Sequence, residues 1–256
     1  MQYVTSQDGT IIAYERVGQG PALILVGGVL GDHSQQTPLA QLLAAHFTVY
    51  NLDRRGRGES GDTPPYAVER EVEDLAALLE EAGGQAAVYG TSVCAILALA
   101  AAVRGLAPKI KKLALWEPPY LPLSQGYREQ LAQMLQEGRR GDMVELFFTQ
   151  EVGLPAEFVA HMRTQPFWAA QEALAHTLLY DATIRSDYPL PAEQAAAVQV
   201  PTLVIDGGET PRLSHAADAV ADILPNAQRR TLAGQPHNVS AEALAPVLVE
   251  FFEEEN

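Results

Sequence analysis

The sequence predicts an α/β fold, a mainly parallel eight-stranded sheet with helices on both faces, and three observations predict it. Short apolar runs recur along the chain, as strands buried on both faces require. Between them lie segments whose apolar residues return at helical spacing. The two kinds of segment alternate, which is the order that parallel strands joined by crossover helices need.

Residues 3–6 and 11–17 read as strands joined at Asp8-Gly9, a hairpin signal. Residues 22–26 are a continuous apolar run closed by Gly27-Gly28. Residues 37–45 have helical spacing, and 47–52 form the next strand. Over 69–82, Val72, Leu75, Leu78 and Leu79 share one helical stripe with acidic residues opposite, and Gly83-Gly84 end that helix. Residues 86–89 lead through a turn into a helix over 95–103. Strands follow at 112–116, 200–206 and 229–232, and a closing helix at 241–252.

Residues 118–197 break the alternation. They carry no strand pattern, only helical patterns punctuated by Gly138, Gly141, Gly153, Pro155, Pro166, Pro189 and Pro191. The expected organisation is a core of residues 1–117 and 198–256 with a helical cap inserted at 118–197. Phe147, Phe148, Phe158, Phe167, Trp168 and Tyr180 fall in the insertion. Most are expected to pack its own core and roughly a third to line a ligand pocket.

At 256 residues, 47% apolar and 19% charged, the chain is long and apolar enough for a soluble globular protein. A net charge of −15 repels phosphate backbones and argues against nucleic acid as a partner. No apolar window reaches the length of a membrane helix, and no basic stretch precedes an apolar one at the start. With a single cysteine, these features make a cytoplasmic location the expectation. No metal-ligand spacing and no phosphate-cradling loop is visible, so neither a metal nor a cofactor is expected. Nothing in the sequence bears on oligomeric state.

One motif carries chemistry directly. Ser92 lies in Val88-Tyr89-Gly90-Thr91-Ser92-Val93-Cys94, between a strand and an alanine-rich helix. That layout lifts a hydroxyl out of the backbone as a nucleophile. It also aims the Val93 N–H, at the helix start, toward an oxyanion formed there. The pattern G-x-S-x-G asks for a second glycine, and this chain has Cys94. A buried, inert packing role is expected for that thiol, with room supplied by small neighbours such as Ala95.

With this motif in place the chain resembles the α/β-hydrolase superfamily over nearly its whole length. The segment Leu25-Val26-Gly27-Gly28-Val29-Leu30-Gly31-Asp32 is similar to the family's His-Gly oxyanion loop, with Gly27 where the histidine usually stands. Residues 53–60, Asp-Arg-Arg-Gly-Arg-Gly-Glu-Ser, look like its D-x-R-G-x-G-x-S turn. Residues 200–207 resemble its late strand, and Gly234-Gln235-Pro236-His237 its histidine loop.

The resemblance implies Ser92 as nucleophile, His237 as general base, and the backbone N–H groups of Val29 and Val93 as the oxyanion hole. The acid is the open position. Where family members usually place an aspartate, this chain has Thr210, with Glu209 shifted by one. A second location used with this fold lies at the end of the strand after the nucleophile helix, and here that is Glu117. A carboxylate there is costly to bury without a partner, which favours Glu117 over Glu209, with Asp181 and Asp187 as outsiders. His33, His46, His161, His176 and His215 are expected to be surface or capping residues. Arg54, Arg55 and Arg57 are expected in ion pairs, and Asp53 as an anchor of its own turn.

The function implied is a serine-dependent hydrolase acting on a small ester, lactone or related acyl substrate through an acyl-enzyme. Perhydrolase, amidase and C–C hydrolase chemistry would use the same serine and histidine, and a non-catalytic small-molecule-binding protein would keep only the fold. Haloalkane and epoxide chemistry need a carboxylate where Ser92 stands.

Overall fold

The computed structural model describes residues 1–187 and 192–254; Pro189, Pro191 and Glu255 lie outside them. Eight strands form one sheet: β1 (Gln2–Thr5), β2 (Ile11–Val17), β3 (Ala22–Val26), β4 (Thr48–Leu52), β5 (Ala86–Thr91), β6 (Ile110–Trp116), β7 (Thr202–Gly208) and β8 (Ala227–Gln235). Their order is β1-β2-β4-β3-β5-β6-β7-β8. The β1–β2 and β2–β4 pairs are antiparallel, and every pair from β4 onward is parallel.

The chain builds outward from β3 to β4, then returns to lay β5 on the other side of β3. That reversal is a switch point, where an open sheet leaves a crevice at its C-terminal strand ends. The register opposes Val26 to Gly90 and Thr91 to Trp116. The loops leaving β3, β5 and β6 therefore emerge side by side.

Helices cover both faces. On one face α2 (Val68–Glu81), α3 (Val93–Ala101) and α10 (Pro211–Ile223) bury Leu75, Leu78, Leu99 and Val220 against Ile24, Val88, Leu115 and Val204. On the other, α1 (Thr37–Leu43) and α11 (Ala241–Glu253) bury Leu39, Leu43, Leu248 and Phe251 against Leu23, Leu25, Ala114 and Ile205. The alternation of inward side chains along β3 feeds both layers.

Two features depart from expectation. Residues 211–223, to which hydrophobic spacing assigned nothing, form α10. The acidic residues of α2 do not all face water: Glu71 and Asp74 are buried along with the apolar stripe.

Between β6 and β7 the described residues form no strand but six α-helices, α4 (Tyr127–Gln136), α5 (Arg140–Leu146), α6 (Ala156–Met162), α7 (Trp168–Leu174), α8 (Thr177–Asp187) and α9 (Ala192–Ala195), with a π-helix at Phe147–Val152 continuing α5. They enclose an apolar cluster that includes Leu131, Met143, Val144, Val159 and Trp168, joined by Leu30 from the loop after β3. Of the six aromatics singled out from the sequence, Trp168 and Tyr180 are buried. Phe147 and Phe148 line a cavity against the sheet. Phe158 and Phe167 are 52% and 46% exposed and do not line that cavity.

Candidate active site

Ser92 stands between β5 and α3 with φ 55° and ψ −129°. A non-glycine residue avoids that region unless its surroundings impose it. Here the Ser92 N–H donates to the Trp116 carbonyl at 2.8 Å, and the Ala95 N–H donates to the Ser92 carbonyl at 2.8 Å. Gly90 permits the sharp turn, because a Cβ at that position would lie 2.5 Å from the Cys94 carbonyl oxygen.

Cys94 is fully buried, and its thiol donates to the Gly27 carbonyl. Its space is found against the loop after β3. Burial pushes the thiol pKa up to about 12, which keeps it protonated and unreactive.

Glu117 follows β6 directly, with φ 43° and 1% exposure. Its N–H continues the sheet by donating to the Ile205 carbonyl at 2.8 Å. One carboxylate oxygen, Oε1, accepts the Gly207 N–H at 3.0 Å. The other, Oε2, lies 2.5 Å from His237 Nδ1. His237 sits in the loop between β8 and α11, tethered where its carbonyl accepts the Trp116 indole N–H at 2.9 Å. Its Nε2 lies 3.1 Å from Ser92 Oγ. A carboxylate at Nδ1 places the ring proton there and leaves the Nε2 lone pair facing the hydroxyl. Serine, imidazole and carboxylate thus stand in one line, able to move a proton off Ser92 and to stabilise the imidazolium that results.

The other carboxylates named from the sequence stand apart from His237. Glu209 is exposed, and Thr210 precedes α10 and lines the cavity. Asp181 bonds to Arg54 at 2.8 Å and to Arg57 at 2.9 Å, and Asp187 to Arg128 at 2.8 Å. Asp206, one residue before Gly207, is held by Arg229 at 2.8 Å, by Thr231 at 2.6 Å and by Ser214.

Val29 and Val93 both line the cavity beside Ser92. As the first residue of α3, Val93 has no intrahelical acceptor for its N–H. Among the described residues no acceptor reaches the Val29 N–H either. The loop carrying Val29 is braced by residues whose part is invisible in the sequence. Asp53 accepts from the His33 N–H at 2.7 Å and from the Glu59 N–H at 3.0 Å, and lies 2.8 Å from His33 Nδ1. Asn51 donates to the His33 carbonyl at 2.9 Å, and Gln171 of α7 to the Leu30 carbonyl at 3.2 Å. Asp32, His33 and Asp53 bring potential metal-ligand atoms within 4.8 Å of one another. Their bonds account for the cluster as loop bracing, since Asp32 also caps its own turn through the Ser34 N–H.

Residues 23–247 match the family model described as the alpha/beta hydrolase family. The chain belongs to that family. An alpha/beta hydrolase from Sphaerobacter thermophilus DSM 20745 is 51% identical, with 98% of this chain and 100% of that one covered and a TM-score of 0.90. A thermophilic esterase from Thermogutta terrifontis, 23% identical over 98% of this chain and 97% of its own, has a TM-score of 0.76 and shares the fold. An uncharacterised Bacillus subtilis hydrolase, YraK, is 30% identical over 54% of each chain. The match spans about half the length, or less, of the curated relatives.

In this α/β-hydrolase the arginines of the 53–60 turn are buried ion-pair partners, as the acidic composition suggested. Arg54 makes a two-pronged contact with Glu71 at 2.6 and 2.7 Å, and Arg55 does the same with Asp74 at 2.7 Å for both bonds. Arg57 grips Asp181 of α8. The cavity above Ser92 encloses about 830 Å³ between the sheet and the helices after β6. Among the described residues no helix is long and apolar enough to cross a membrane.

Proposed function

We propose that this hydrolase cleaves a small ester, lactone or related acyl substrate through an acyl-enzyme on Ser92. The observation that carries this reading is the Ser92–His237–Glu117 line, 3.1 and 2.5 Å in its two links. Ser92 Oγ attacks the carbonyl carbon while its proton passes to His237 Nε2. Glu117 holds the imidazole in the right tautomer and stabilises its charge. The oxygen that becomes negative is met by the Val29 and Val93 N–H groups, and losing one such donor costs about 3 kcal/mol in the transition state. Collapse expels the alcohol, which takes the proton from Nε2. Water then repeats the attack on the acyl group, His237 again serving as base, and the acid and free Ser92 are restored.

In the same proposal residues 118–197 act as a cap over 1–117 and 198–256, and their cavity wall sets which acyl groups fit. The buried, protonated Cys94 supports serine as the nucleophile. Two measurements test the reading. An activated ester should release a burst of leaving group equal to the enzyme concentration, and a fluorophosphonate should label Ser92. Ser92→Ala should abolish both, and undiminished ester turnover in that variant would overturn the mechanism. Tight ligand binding with neither burst nor labelling in the unaltered protein would instead identify a binding protein on this fold.

A further inference from the structure

The cavity has a second polar end, formed where the helices after β6 meet α10. Tyr127, at the start of α4, is 3% exposed and lines this end, yet its hydroxyl meets no hydrogen-bond partner among the described residues. Burial in the company of Glu151 and Asp181 pushes the phenol above its ordinary pKa, with Arg185 opposing, so the group stays a neutral donor. The ring is buried while the hydroxyl is left open on the cavity side, so a ligand atom can reach it and take its hydrogen bond.

Four charged side chains, Glu151, Asp181, Arg185 and Arg212, line the same end. Arg185 of α8 pairs with Glu151. Arg212, in the first turn of α10, donates to the Glu151 backbone carbonyl at 3.1 Å. No carboxylate partners Arg212 among the described residues. Of these two guanidiniums only Arg185 has a carboxylate partner, and Arg212 is left as an uncompensated positive charge. Asp181 also reaches the cavity, but Arg54 and Arg57 neutralise it from behind. Arg212 is exposed and lines the cavity, and a surplus positive charge at its rim runs against the −15 of the whole chain, so composition does not explain it.

We infer that this end of the cavity binds a carboxylate carried by the substrate, so that the substrate class is an anionic ester or lactone, such as the half-ester of a dicarboxylic acid. Arg212, steadied by the Glu151 backbone carbonyl, supplies charge-assisted hydrogen bonds, and Tyr127 a neutral one. The inference rests on the Ser92 reading above and deepens it: Ser92 cleaves the ester end while Arg212 and Tyr127 hold the acid end.

The test compares kcat/KM for mono-4-nitrophenyl glutarate with that for 4-nitrophenyl pentanoate, which replaces the distal carboxylate by a methyl group. The anionic ester should be preferred by about tenfold or more. The preference should shrink in about 0.5 M NaCl, as screened charge attraction does. Arg212→Gln should bring the ratio toward one, chiefly through KM, and Tyr127→Phe should lower it by a smaller factor. A ratio of one or below in the unaltered protein, or a ratio that Arg212→Gln leaves unchanged, overturns the inference while leaving the Ser92 mechanism intact. If neither ester is cleaved, the Ser92 reading fails, and calorimetry then decides the subsite alone. Monomethyl glutarate binding more tightly than dimethyl glutarate, and losing that advantage in Arg212→Gln, supports it; equal binding overturns it.

Discussion

Glu117 and His237 meet at 2.5 Å across the C-terminal edge of the sheet, although β7 lies between the strand that ends at Glu117 and the strand that precedes His237. Because Glu117 is buried while its other oxygen takes the Gly207 N–H, its position is set by two partners rather than by rotamer freedom. Glu117→Gln should keep that geometry and favour the wrong imidazole tautomer, lowering kcat by about 10³- to 10⁴-fold with KM little changed. Glu209→Gln should remain within about twofold of the parent in either constant, as exposed surface substitutions do. Steady-state kinetics on an activated ester separates the two; a collapse in Glu209→Gln with a mild Glu117→Gln would move the acid to Glu209.

The Cys94 thiol should resist alkylation by iodoacetamide in the folded protein and react fully once the chain is unfolded, because burial keeps it a neutral thiol. Cys94→Ala removes the donor to the Gly27 carbonyl and leaves a small void. The expected cost is about 1–2 kcal/mol in a urea titration. Rapid, complete labelling of the native protein would show that the elbow helix opens far more readily than its packing implies.

Asp206 gives the acid limb of stability a specific origin. Burial alone would raise its pKa, but hydrogen bonds from Arg229, Ser214 and Thr231 outweigh that and hold it down at about 2. A carboxyl depressed in the folded state stabilises at pH above its unfolded value, and that contribution is lost as pH falls from about 4 to about 2. Asp206→Asn should therefore lower stability at neutral pH by ~2 kcal/mol and flatten this part of the acid transition. Thermal melts from pH 7 to pH 2 read both effects. A variant whose curve runs parallel to the parent's would remove Asp206 from the account.

Asp181 joins α8 to the 53–60 turn through Arg54 and Arg57. Asp181→Ala strands buried guanidinium charge and should cost roughly 3–5 kcal/mol of unfolding free energy. A loss under about 1 kcal/mol would mean that water reaches the arginines once the carboxylate is gone.

Alternating apolar runs made the parallel sheet legible, and a strand-glycine-serine-helix layout made Ser92 legible, because both are signals within a few residues of one another. Glu117 was legible for a different reason: a carboxylate ending an apolar strand demands a partner. Helix α10 was not, because it starts at Pro211 behind a threonine and buries mainly Leu213, Ala216, Ala217 and Val220, a weak stripe. The burial of Glu71 and Asp74 was hidden too, since their partners Arg54 and Arg55 lie 17 and 19 residues away and charge alone reads as a solvated face. Tyr127 and Arg212 come to one cavity wall from α4 and α10, and spacing along the chain holds no trace of that meeting.

The placement of Glu117 has a consequence for how such a protein can diversify. Glu117, directly after β6, is tied twice to β7, by its backbone N–H to the Ile205 carbonyl and by its carboxylate to the Gly207 N–H. The segment after β7 is thereby released from supplying the proposed acid, and Thr210 and Arg212 are free to line the cavity. Residues 209–212 can then change with the substrate while the proton relay stays as it is, so that selectivity and proton transfer occupy separate stretches of the chain.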